Sequence, residues 1–574
     1  MSDRRPYDPL PCYPCADGPV SIGWAAACGQ LPEECGVLAI DGPAVLDGAD
    51  LDWQTVAEAV AAELGRDGTG VDLLDVRDHF VSWDQIVKRT ASVEALQDDP
   101  DFATLAGGGL GDLIDELPTP HRAAGQVCVV YGPGAGLIEH DVLWYADMPK
   151  RFAEAAITAG RASNLGQPIA SGPGSTRRLF YIDWPLLDRH RDEIAPGIDL
   201  WLDLQFPEGP ASLTGTNLRA SAAALAGRPF RTRPTFNTTS WGGHWAQQEL
   251  GFNPDARNTA LGYELIAPES GVLVGDRQRG FAELPFQLLV ALQPVSVLGA
   301  QVHDRFGTSF PIRFDYLDTV GGGSLSVHCH PREERMRDVF GWPYTQHETY
   351  YVMVGGPERQ IYLGLRDEAN IEEFHRRAHE ADEHAVPFDI EQFVQTFPAE
   401  QHQLFLVPAG TPHGSGVGNV VLEVSATPYL YSLRFYDWLR RDADGGQRPV
   451  HVEHAFANLD RDRIGEAVRT DLVQRPRRVG GGDGWEDELI GALPEMFFEV
   501  RRLGLEPGSI ARLQTDDRFC VLNLVAGDGA VVHWEGGSHE LAYAETIVVP
   551  AAVGSYAVTP VGDAPVRIVR AFVS

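Results

Sequence analysis

Two histidines, His328 and His330, stand one residue apart in the stretch SLSVHCHPREE (324–334). In a β-strand, residues i and i+2 point to the same face, so the two imidazoles can approach one ion. Neutral imidazole binds zinc, iron, nickel or copper. The spacing therefore predicts half of a metal site on a strand.

Two later residues can complete this site. Glu348 begins the strand-like run ETYYVMV, and His413 follows a strand and a tight turn in VPAGTPHG. Three histidines and one carboxylate leave room at a metal ion for water or a substrate. An H-x-H pair, a glutamate and a distant histidine on a Pro/Gly corner form the ligand plan of a cupin barrel. We predict a divalent metal ion, Zn²⁺ or another, bound by His328, His330, Glu348 and His413.

The other histidines and the N-terminal cysteines are weaker candidates for metal ligands. Four further histidines fall on loop or helix patterns, which predicts solvated surface positions for His347, His375, His379 and His384. Near the N-terminus, a C-x2-C pair is followed by two single cysteines, at Cys12, Cys15, Cys28 and Cys35. A structural zinc site usually has a second close pair, so we interpret this segment as irregular chain with reduced thiols.

Composition and charge restrict the class of protein. The 574 residues carry a formal net charge of −35, which argues against a nucleic-acid or anionic-membrane partner. The first 15 residues contain no apolar signal region, and the apolar stretch 281–301 contains Glu283 and two prolines. We therefore predict core strands there, no membrane span, and a cytoplasmic location. The pattern gives no oligomeric state.

Strands alternate with helical patterns in the first part of the chain. Residues 1–35 are predicted to be an irregular lead-in, and residues 36–232 a parallel α/β domain. The stretch GVLAIDGPAVLDGADLDW (36–53) resembles the start of a uridine kinase. It lacks the Lys and Ser/Thr of a phosphate-binding loop, as does the glycine-rich YGPGAGL (131–137). We expect a kinase-like domain without phosphoryl transfer, with a sugar- or nucleotide-sensing or purely structural role.

Short β-type runs dominate from about residue 233. They predict a metal-binding cupin barrel with a helical insertion over 233–440, a charged, glycine-rich linker over 441–490, and a shorter cupin-like β-domain over 491–574. The similarity of LFLVPAGTPHG to TIVVPAAVGSY suggests that the two β-domains repeat one plan. The predicted fold class is thus multidomain, with α/β and all-β parts.

An ordered set of segments resembles the class I mannose-6-phosphate isomerases over residues 241–574. The segments are WGGHW, LSVHCHP, ETYYVM, VPAGTPHGSG, VLEV and LRFYDWLRR. The resemblance implies a zinc-dependent cupin enzyme that acts on a sugar phosphate. The chain departs from the family at three points. His328 replaces the usual glutamine ligand, Gln346 replaces a common lysine, and one extra residue separates Glu423 from Arg434.

Isomerisation of an aldose to a ketose needs a base and a charge that stabilises the enediolate. Arg434 is the candidate for the stabilising charge, and an ion pair with Asp437 in the barrel wall is its structural alternative. Glu423 is the candidate proton shuttle, and a hydrogen bond to a ligand histidine is its alternative.

The predicted function is a metal-dependent isomerase that converts mannose 6-phosphate to fructose 6-phosphate through an enediolate, with a small sugar or sugar phosphate as its partner. Two alternatives remain open at this point. One is an iron-dependent cupin oxidoreductase, because the same ligands serve that chemistry. The other is a non-catalytic sugar-binding regulator, which would bind metal and sugar without exchanging the proton on C2.

Overall fold

The structure is a computed structural model that describes residues 5–47, 51–66, 68–206, 209–427, 431–442 and 445–574. Residues 48–50 of the kinase-like stretch lie outside the described residues. The chain forms several domains and is rich in strands, with an α/β part followed by two all-β parts.

The α/β part begins with short strands and continues with alternating strands and helices. Its elements are β1 (Cys12–Tyr13), β2 (Ser21–Ile22), α1 (Trp24–Cys28), β3 (Val37–Asp41), α2 (Trp53–Gly65), β4 (Gly70–Asp75), α3 (Trp83–Arg89), β5 (Gln126–Tyr131), β6 (Val142–Asp147), α4 (Lys150–Thr158), α5 (Thr176–Arg178), α6 (Trp184–Ile194), β7 (Leu200–Asp203), β8 (Ala211–Thr214) and α7 (Gly215–Ala226).

All of these strands except β1 form one seven-stranded sheet in the order β2-β8-β7-β6-β3-β5-β4. Strands β3 to β7 are parallel and β8 is antiparallel. The central strand β3 is buried along its whole length, as expected for a parallel sheet whose two faces are covered by helices. This confirms the predicted parallel α/β architecture, and the likeness to a kinase stays a prediction.

Backbone N–H groups of the two glycine-rich stretches of this domain donate hydrogen bonds to a side chain of the protein itself. The Asp41 carboxylate, at the end of β3, accepts hydrogen bonds from the backbone N–H groups of Gly42, Gly134 and Gly136. His190 Nε2 lies 2.6 Å from the same carboxylate. Backbone N–H groups that a phosphate-binding loop would offer to an anion are therefore already bound to an aspartate.

The lead-in joins the two neighbouring parts of the molecule. Strand β2 pairs with β8, and β1 pairs in parallel with a strand at Gly271–Asp276 in the next domain. Cys12, Cys15 and Cys28 are half-buried and Cys35 is buried. The segment is mostly irregular, but it is anchored to two sheets.

The first all-β part contains a six-stranded and a five-stranded sheet, two strands of a smaller sheet that includes β1, and the predicted helical insertion. Its elements are β9 (Thr235–Asn237), α8 (Trp245–Glu249), β10 (Leu261–Leu265), β11 (Gly271–Asp276), β12 (Gly280–Pro285), α9 (Phe286–Leu292), α10 (Pro294–Leu298), α11 (Ala300–Phe306), β13 (Ile312–Asp318), β14 (Val327–Cys329), α12 (Glu333–Arg335), β15 (Glu348–Val354), β16 (Gly356–Leu365), α13 (Ile371–His384), β17 (Val394–Ala399), β18 (Leu404–Val407), β19 (His413–Ser415), β20 (Val420–Ala426), β21 (Leu433–Tyr436) and α14 (Val452–Asn458).

The apolar stretch 281–301 differs from the prediction of core strands. It forms the end of β12 and then α9 and α10. A short apolar run has no periodicity that separates a buried strand from a buried helix. The two prolines mark the starts of the helices: Pro285 is the N-cap of α9 and Pro294 is the first residue of α10.

The second all-β part repeats the plan of the first. Its strands are β22 (Arg477–Gly482), β23 (Trp485–Gly491), β24 (Phe498–Leu505), β25 (Ala511–Gln514), β26 (Cys520–Ala526), β27 (Gly529–Trp534), β28 (Gly537–Leu541), β29 (Thr546–Val549), β30 (Ser555–Val561) and β31 (Val566–Val573).

The strand orders show the repeat directly. The six-stranded sheets run β18-β15-β20-β13-β10-β9 in the first part and β29-β26-β31-β24-β23-β22 in the second. The smaller sheets run β17-β16-β19-β14-β21 and β28-β27-β30-β25. In the second part, Cys520 begins the strand that matches β15, and Ser555 begins the strand that matches β19. The repeat therefore lacks the glutamate and the histidine that begin those strands in the first part.

Residues 441–490, predicted as a linker, are folded. The segment contains α14, β22 and most of β23, so the second β-part begins before residue 491. Val452 and Ala455 are three residues apart, and Val468 and Leu472 are four residues apart. All four side chains are buried. The charged and glycine residues that suggested a linker share the segment with these regularly spaced apolar positions, which pack onto the barrel.

Candidate metal centre and central cavity

The four predicted ligands come together in the first β-part. His328 lies on β14 and His330 follows it, while His413 begins β19 of the same sheet and Glu348 begins β15 of the other sheet. His330 Nε2 lies 2.6 Å from Glu348 Oε2, and His413 Nε2 lies 3.2 Å from Glu348 Oε1. One ligand nitrogen from each histidine lies within 4.8 Å of the other two. All four side chains are buried.

Backbone carbonyl groups orient the three imidazoles. Each Nδ1 lies beside a carbonyl oxygen: His328 beside Ser326 at 2.9 Å, His330 beside Tyr431 at 3.2 Å, and His413 beside Thr411 at 2.8 Å. A carbonyl can only accept, so each Nδ1 carries the hydrogen and the neutral ring presents the lone pair of Nε2. Such contacts fix the tautomer of metal-ligating histidines.

The electrostatics of the cluster suit a cation. Burial lowers the pKa of His328 well below its ordinary value, and His413 and His330 lower it further. Burial alone would raise the pKa of Glu348, but His413 and His330 lower it well below its usual range. Within the part of the chain that the structure describes, Glu348 Oε1 and His413 Nε2 lie 3.2 Å apart and neither makes a hydrogen bond. Burial lowers the pKa of His413, but Glu348 raises it above its ordinary value. Three imidazole nitrogens and one carboxylate fit a divalent metal ion such as Zn²⁺.

The cluster lies in a cavity of about 350 Å³, which we call the central cavity. One group of lining residues surrounds the histidines and consists of Arg313, Asp315, Gln346, Tyr350 and Glu423. A second group consists of Ser432, Arg434, Arg448 and His451 from the first β-part, with Asp101, Phe102 and Tyr181 from the α/β domain. Both predicted catalytic residues, Glu423 and Arg434, therefore line the same cavity as three of the predicted metal ligands, His328, His330 and Glu348.

Within the described residues, the hydrogen bonds of Glu423 go to Arg313, Ser425 and Gln346, and none goes to a ligand histidine. Its Oε1 accepts hydrogen bonds from Arg313 Nη2 at 2.6 Å and from Ser425 Oγ at 2.7 Å. Gln346 Nε2 lies 3.3 Å from Glu423 Oε1 and 3.1 Å from Glu348 Oε2. The amide of Gln346 thus links the carboxylates of Glu348 and Glu423. The class I mannose-6-phosphate isomerases, which the sequence resembles, commonly have lysine at this position.

Arg434 is not the partner of Asp437. The Asp437 carboxylate binds Arg440 at 2.6 Å and Arg448 at 2.9 Å. Arg434 lies opposite His328 on the neighbouring strand β21, and its Nη1 donates to the carbonyl oxygen of Pro449 at 2.8 Å. Burial and the nearby Arg448 charge lower the pKa of Arg434 to about 10. The charges of Asp437, Asp101 and Asp442 oppose this fall.

Sequence reasoning missed two buried residues of strand β13, Arg313 and Asp315. They alternate along the strand, so both face the cavity, and Asp315 is opposite Glu423 in the register. Burial and the charge of Glu423 raise the pKa of Asp315 well above its usual range, while Arg313 opposes this rise. The signal was present, because charged residues on every second position of an apolar strand mark an inward polar face.

The prediction of solvated positions is wrong for His347. Its side chain is buried, its Nδ1 accepts from the backbone N–H of Ala409, and burial lowers its pKa to about 4. His375 and His379 are partly exposed on α13 and both contact Glu453. Within the described residues, this trio and the three cavity histidines are the groups with closely spaced ligand atoms, and the N-terminal cysteines belong to neither.

Two curated relatives are mannose-6-phosphate isomerases. The chain is 26% identical to the Streptococcus mutans serotype c (strain ATCC 700610 / UA159) protein over 297 residues, 51% of this chain and 83% of that protein. It is 24% identical to ManA of Bacillus subtilis (strain 168) over 315 residues, 54% of this chain and 88% of that protein. About half the chain is thus homologous to mannose-6-phosphate isomerases, and this homology supports an isomerase enzyme.

Solved structures and a domain family complete the comparison. The mannose 6-phosphate isomerase of Bacillus subtilis matches with a TM-score of 0.48 at 17% identity, over 60% of this chain and 99% of that chain. A zinc-bound mannose 6-phosphate isomerase matches with a TM-score of 0.47 at 13% identity, over 60% of this chain and all of that chain. A family described as a domain of unknown function (DUF8485) matches residues 23–227. Across the described residues, no helix has the length and apolar character to cross a bilayer.

Proposed function

We propose that the chain is a metal-dependent aldose–ketose isomerase that interconverts mannose 6-phosphate and fructose 6-phosphate through an enediolate. The observation that carries this proposal is the buried cluster of three histidines and one glutamate in a cavity that also contains Glu423 and Arg434. We propose His328, His330, Glu348 and His413 as the ligands of Zn²⁺ or another divalent metal.

Glu423 is proposed as the base. It removes the proton from C2 of the open-chain aldose, the electrons of that bond form the C1–C2 double bond of the enediolate, and the C1–O1 π electrons move onto O1. The proton then returns to C1, and the O2 proton moves to O1, so the product is the ketose. The bonds from Arg313 and Ser425 hold the carboxylate in one orientation, which such a proton transfer requires.

Arg434 is proposed to stabilise the negative charge of the enediolate. Its guanidinium lines the cavity on the strand next to His328, and a fixed cation beside a developing oxyanion lowers the barrier most strongly in a buried site. A bound divalent metal supplies Lewis-acid polarisation of the substrate oxygens.

The curated relatives support this substrate class. The proteins from Streptococcus mutans and Bacillus subtilis carry the name of this activity, and more than four fifths of each is covered by the match. The substitution of Gln346 for lysine removes one cation near the metal ligands, so a comparison between phosphorylated and unphosphorylated sugars is the informative assay. The predicted cytoplasmic location remains a prediction.

The test is a coupled isomerase assay on mannose 6-phosphate and on mannose, with protein that has been stripped of metal and reloaded with Zn²⁺. We expect turnover of mannose 6-phosphate by the reloaded protein and a loss of turnover in the stripped one. Incubation in deuterium oxide should place deuterium on the product. Oxygen consumption with iron but no isomerisation would favour an oxidoreductase, and sugar binding without deuterium incorporation would favour a regulator.

A further inference from the structure

The α/β domain forms part of the wall of the central cavity. Asp101, Phe102 and Tyr181 line it together with residues of the β-barrel. The Phe102 ring lies 4.6 Å from the His451 ring, and Tyr181 stacks on Tyr431 with 5.0 Å between ring centres. The carbonyl of Tyr431 is the group beside His330 Nδ1. The α/β domain therefore lines the cavity and also contacts Tyr431, the residue whose carbonyl orients His330.

The segment that carries Asp101 is fixed by its neighbours. The Asp99 carboxylate accepts hydrogen bonds from the backbone N–H groups of Asp101 and Phe102, and it lies 2.6 Å from His454 Nε2. Arg177 donates to the carbonyl oxygen of Phe102 at 2.6 Å. These bonds position the loop without the Asp101 side chain, so its carboxylate is left to face the cavity.

Asp101 faces the side of the cavity that carries Arg434, Arg448 and His451. Its Oδ2 lies 3.5 Å from His451 Nε2. His451 Nδ1 accepts from the backbone N–H of Arg434, so Nε2 carries the hydrogen and points it toward the carboxylate. Arg434 and Arg448 line the same region, and the charge of Asp101 acts on Arg434. Arg448 is also bound to Asp437 at 2.9 Å, so the His451 N–H and the Arg434 guanidinium are the donors that most suit an anion here.

We propose that the α/β domain completes the substrate site and that Asp101 is a specificity-determining residue, which competes with the anionic group of a sugar phosphate for Arg434, Arg448 and His451. This inference rests on the proposed function for the identity of the sugar. It gives the α/β domain a role in substrate selection that needs no nucleotide. The carboxylate weakens binding of any anion in this region, and it leaves a neutral sugar unaffected at the metal ligands.

Inorganic phosphate bound to the full-length protein tests the anion region without catalysis. Isothermal titration should show that Asp101→Asn and Asp101→Ser bind phosphate about fivefold more tightly than the unmodified protein, because a like charge at contact distance is removed. The matched control is Asp98→Asn, an exposed carboxylate in the same segment, which should leave phosphate affinity unchanged. Equal affinity in the Asp101 variants and the unmodified protein would overturn the proposal.

Steady-state kinetics separate this inference from the proposed function. We expect Asp101→Asn to lower KM for mannose 6-phosphate with little change in kcat, and to leave KM for any unphosphorylated sugar unchanged. A tighter phosphate site in a protein that turns over no sugar phosphate would reject the proposed function and retain the role of Asp101. A fall in kcat with unchanged phosphate affinity would show a merely structural effect and reject that role. Melting temperatures of the variants check that each is folded.

Discussion

Glu348 and His330 meet between the two sheets of the barrel, with 2.6 Å between Glu348 Oε2 and His330 Nε2. The glutamate begins a strand of the six-stranded sheet, and the histidine follows a strand of the five-stranded sheet. Two buried groups at this separation need either a shared proton or a cation between their lone pairs. The contact therefore links the packing of the sheets to the occupancy of the proposed metal site.

Removal of a cavity histidine should remove the metal. We expect His330→Ala and His413→Ala to lose most of the bound metal, because each leaves only three of the four proposed ligands. Metal content per chain, measured by mass spectrometry after dialysis, checks this. The control is His379→Ala, which alters the partly exposed histidine pair on α13 and should retain the metal. Loss of metal in the control and not in the cavity variants would place the metal on α13 instead.

Glu423→Gln should impair turnover without loss of metal. The amide keeps the shape of the side chain but cannot accept the C2 proton, so we expect kcat for mannose 6-phosphate to fall by about 10²–10⁴-fold. The measurement is steady-state kinetics at saturating substrate together with metal content.

Ser425→Ala is the matched control for Glu423→Gln. It removes one of the hydrogen bonds to Glu423 Oε1 while Arg313 still holds the carboxylate. Its kcat should stay within about tenfold of the unmodified value, because the base remains in place. A Glu423→Gln protein with near-normal kcat would assign the proton transfer to another group.

The proposed metal ligands could be grouped from the sequence because each part of the signal is local. The i,i+2 spacing of His328 and His330 fixes their common face, and the Pro/Gly corner before His413 fixes the end of a strand. What a sequence pattern cannot supply is the pairing of distant strands. The alternation of Arg313 and Asp315 signals an inward polar face of β13, but their position beside Glu423 follows only from the pairing of β13 with β20.

Tertiary packing also explains the two features that the sequence pattern predicted wrongly, the exposure of His347 and the linker at 441–490. His347 stands next to a ligand in the sequence, and burial against Ala409 turns it away from solvent. The charged segment 441–490 is folded because Val452 and Ala455 share one buried helix face. The contribution of Asp101 to the cavity had no sequence signal, since it depends on how the α/β domain packs against the barrel.

Arg434→Lys should reduce kcat more than it changes the affinity for substrate. Lysine keeps the charge but loses the planar guanidinium that can address two oxygens, so we expect a fall in kcat of about 10²-fold. The control is Arg440→Lys, since Arg440 binds Asp437 and does not line the central cavity. If both variants lost activity equally, the effect would lie in the barrel wall. A split between kcat and KM, measured with mannose 6-phosphate, distinguishes these outcomes.

Asp147, at the end of β6, should make the stability of the protein depend on pH. Burial is the main cause that raises its pKa to about 7, Arg191 opposes the rise, and Glu283 adds to it. The unfolded chain ionises this carboxyl at about pH 3.9. Between these two values the folded state binds more protons than the unfolded state, so the free energy of unfolding falls as pH rises and levels off above about pH 7.

Asp147→Asn should remove this dependence, because the amide resembles the protonated carboxyl at every pH. We expect its stability advantage over the unmodified protein to grow by about 3 kcal/mol between pH 5 and pH 8. Urea-induced unfolding of both proteins at the two pH values measures this difference, with the exposed Asp98→Asn as the control. An advantage that is constant with pH would mean that Asp147 is ionised in the folded protein, held by Arg191.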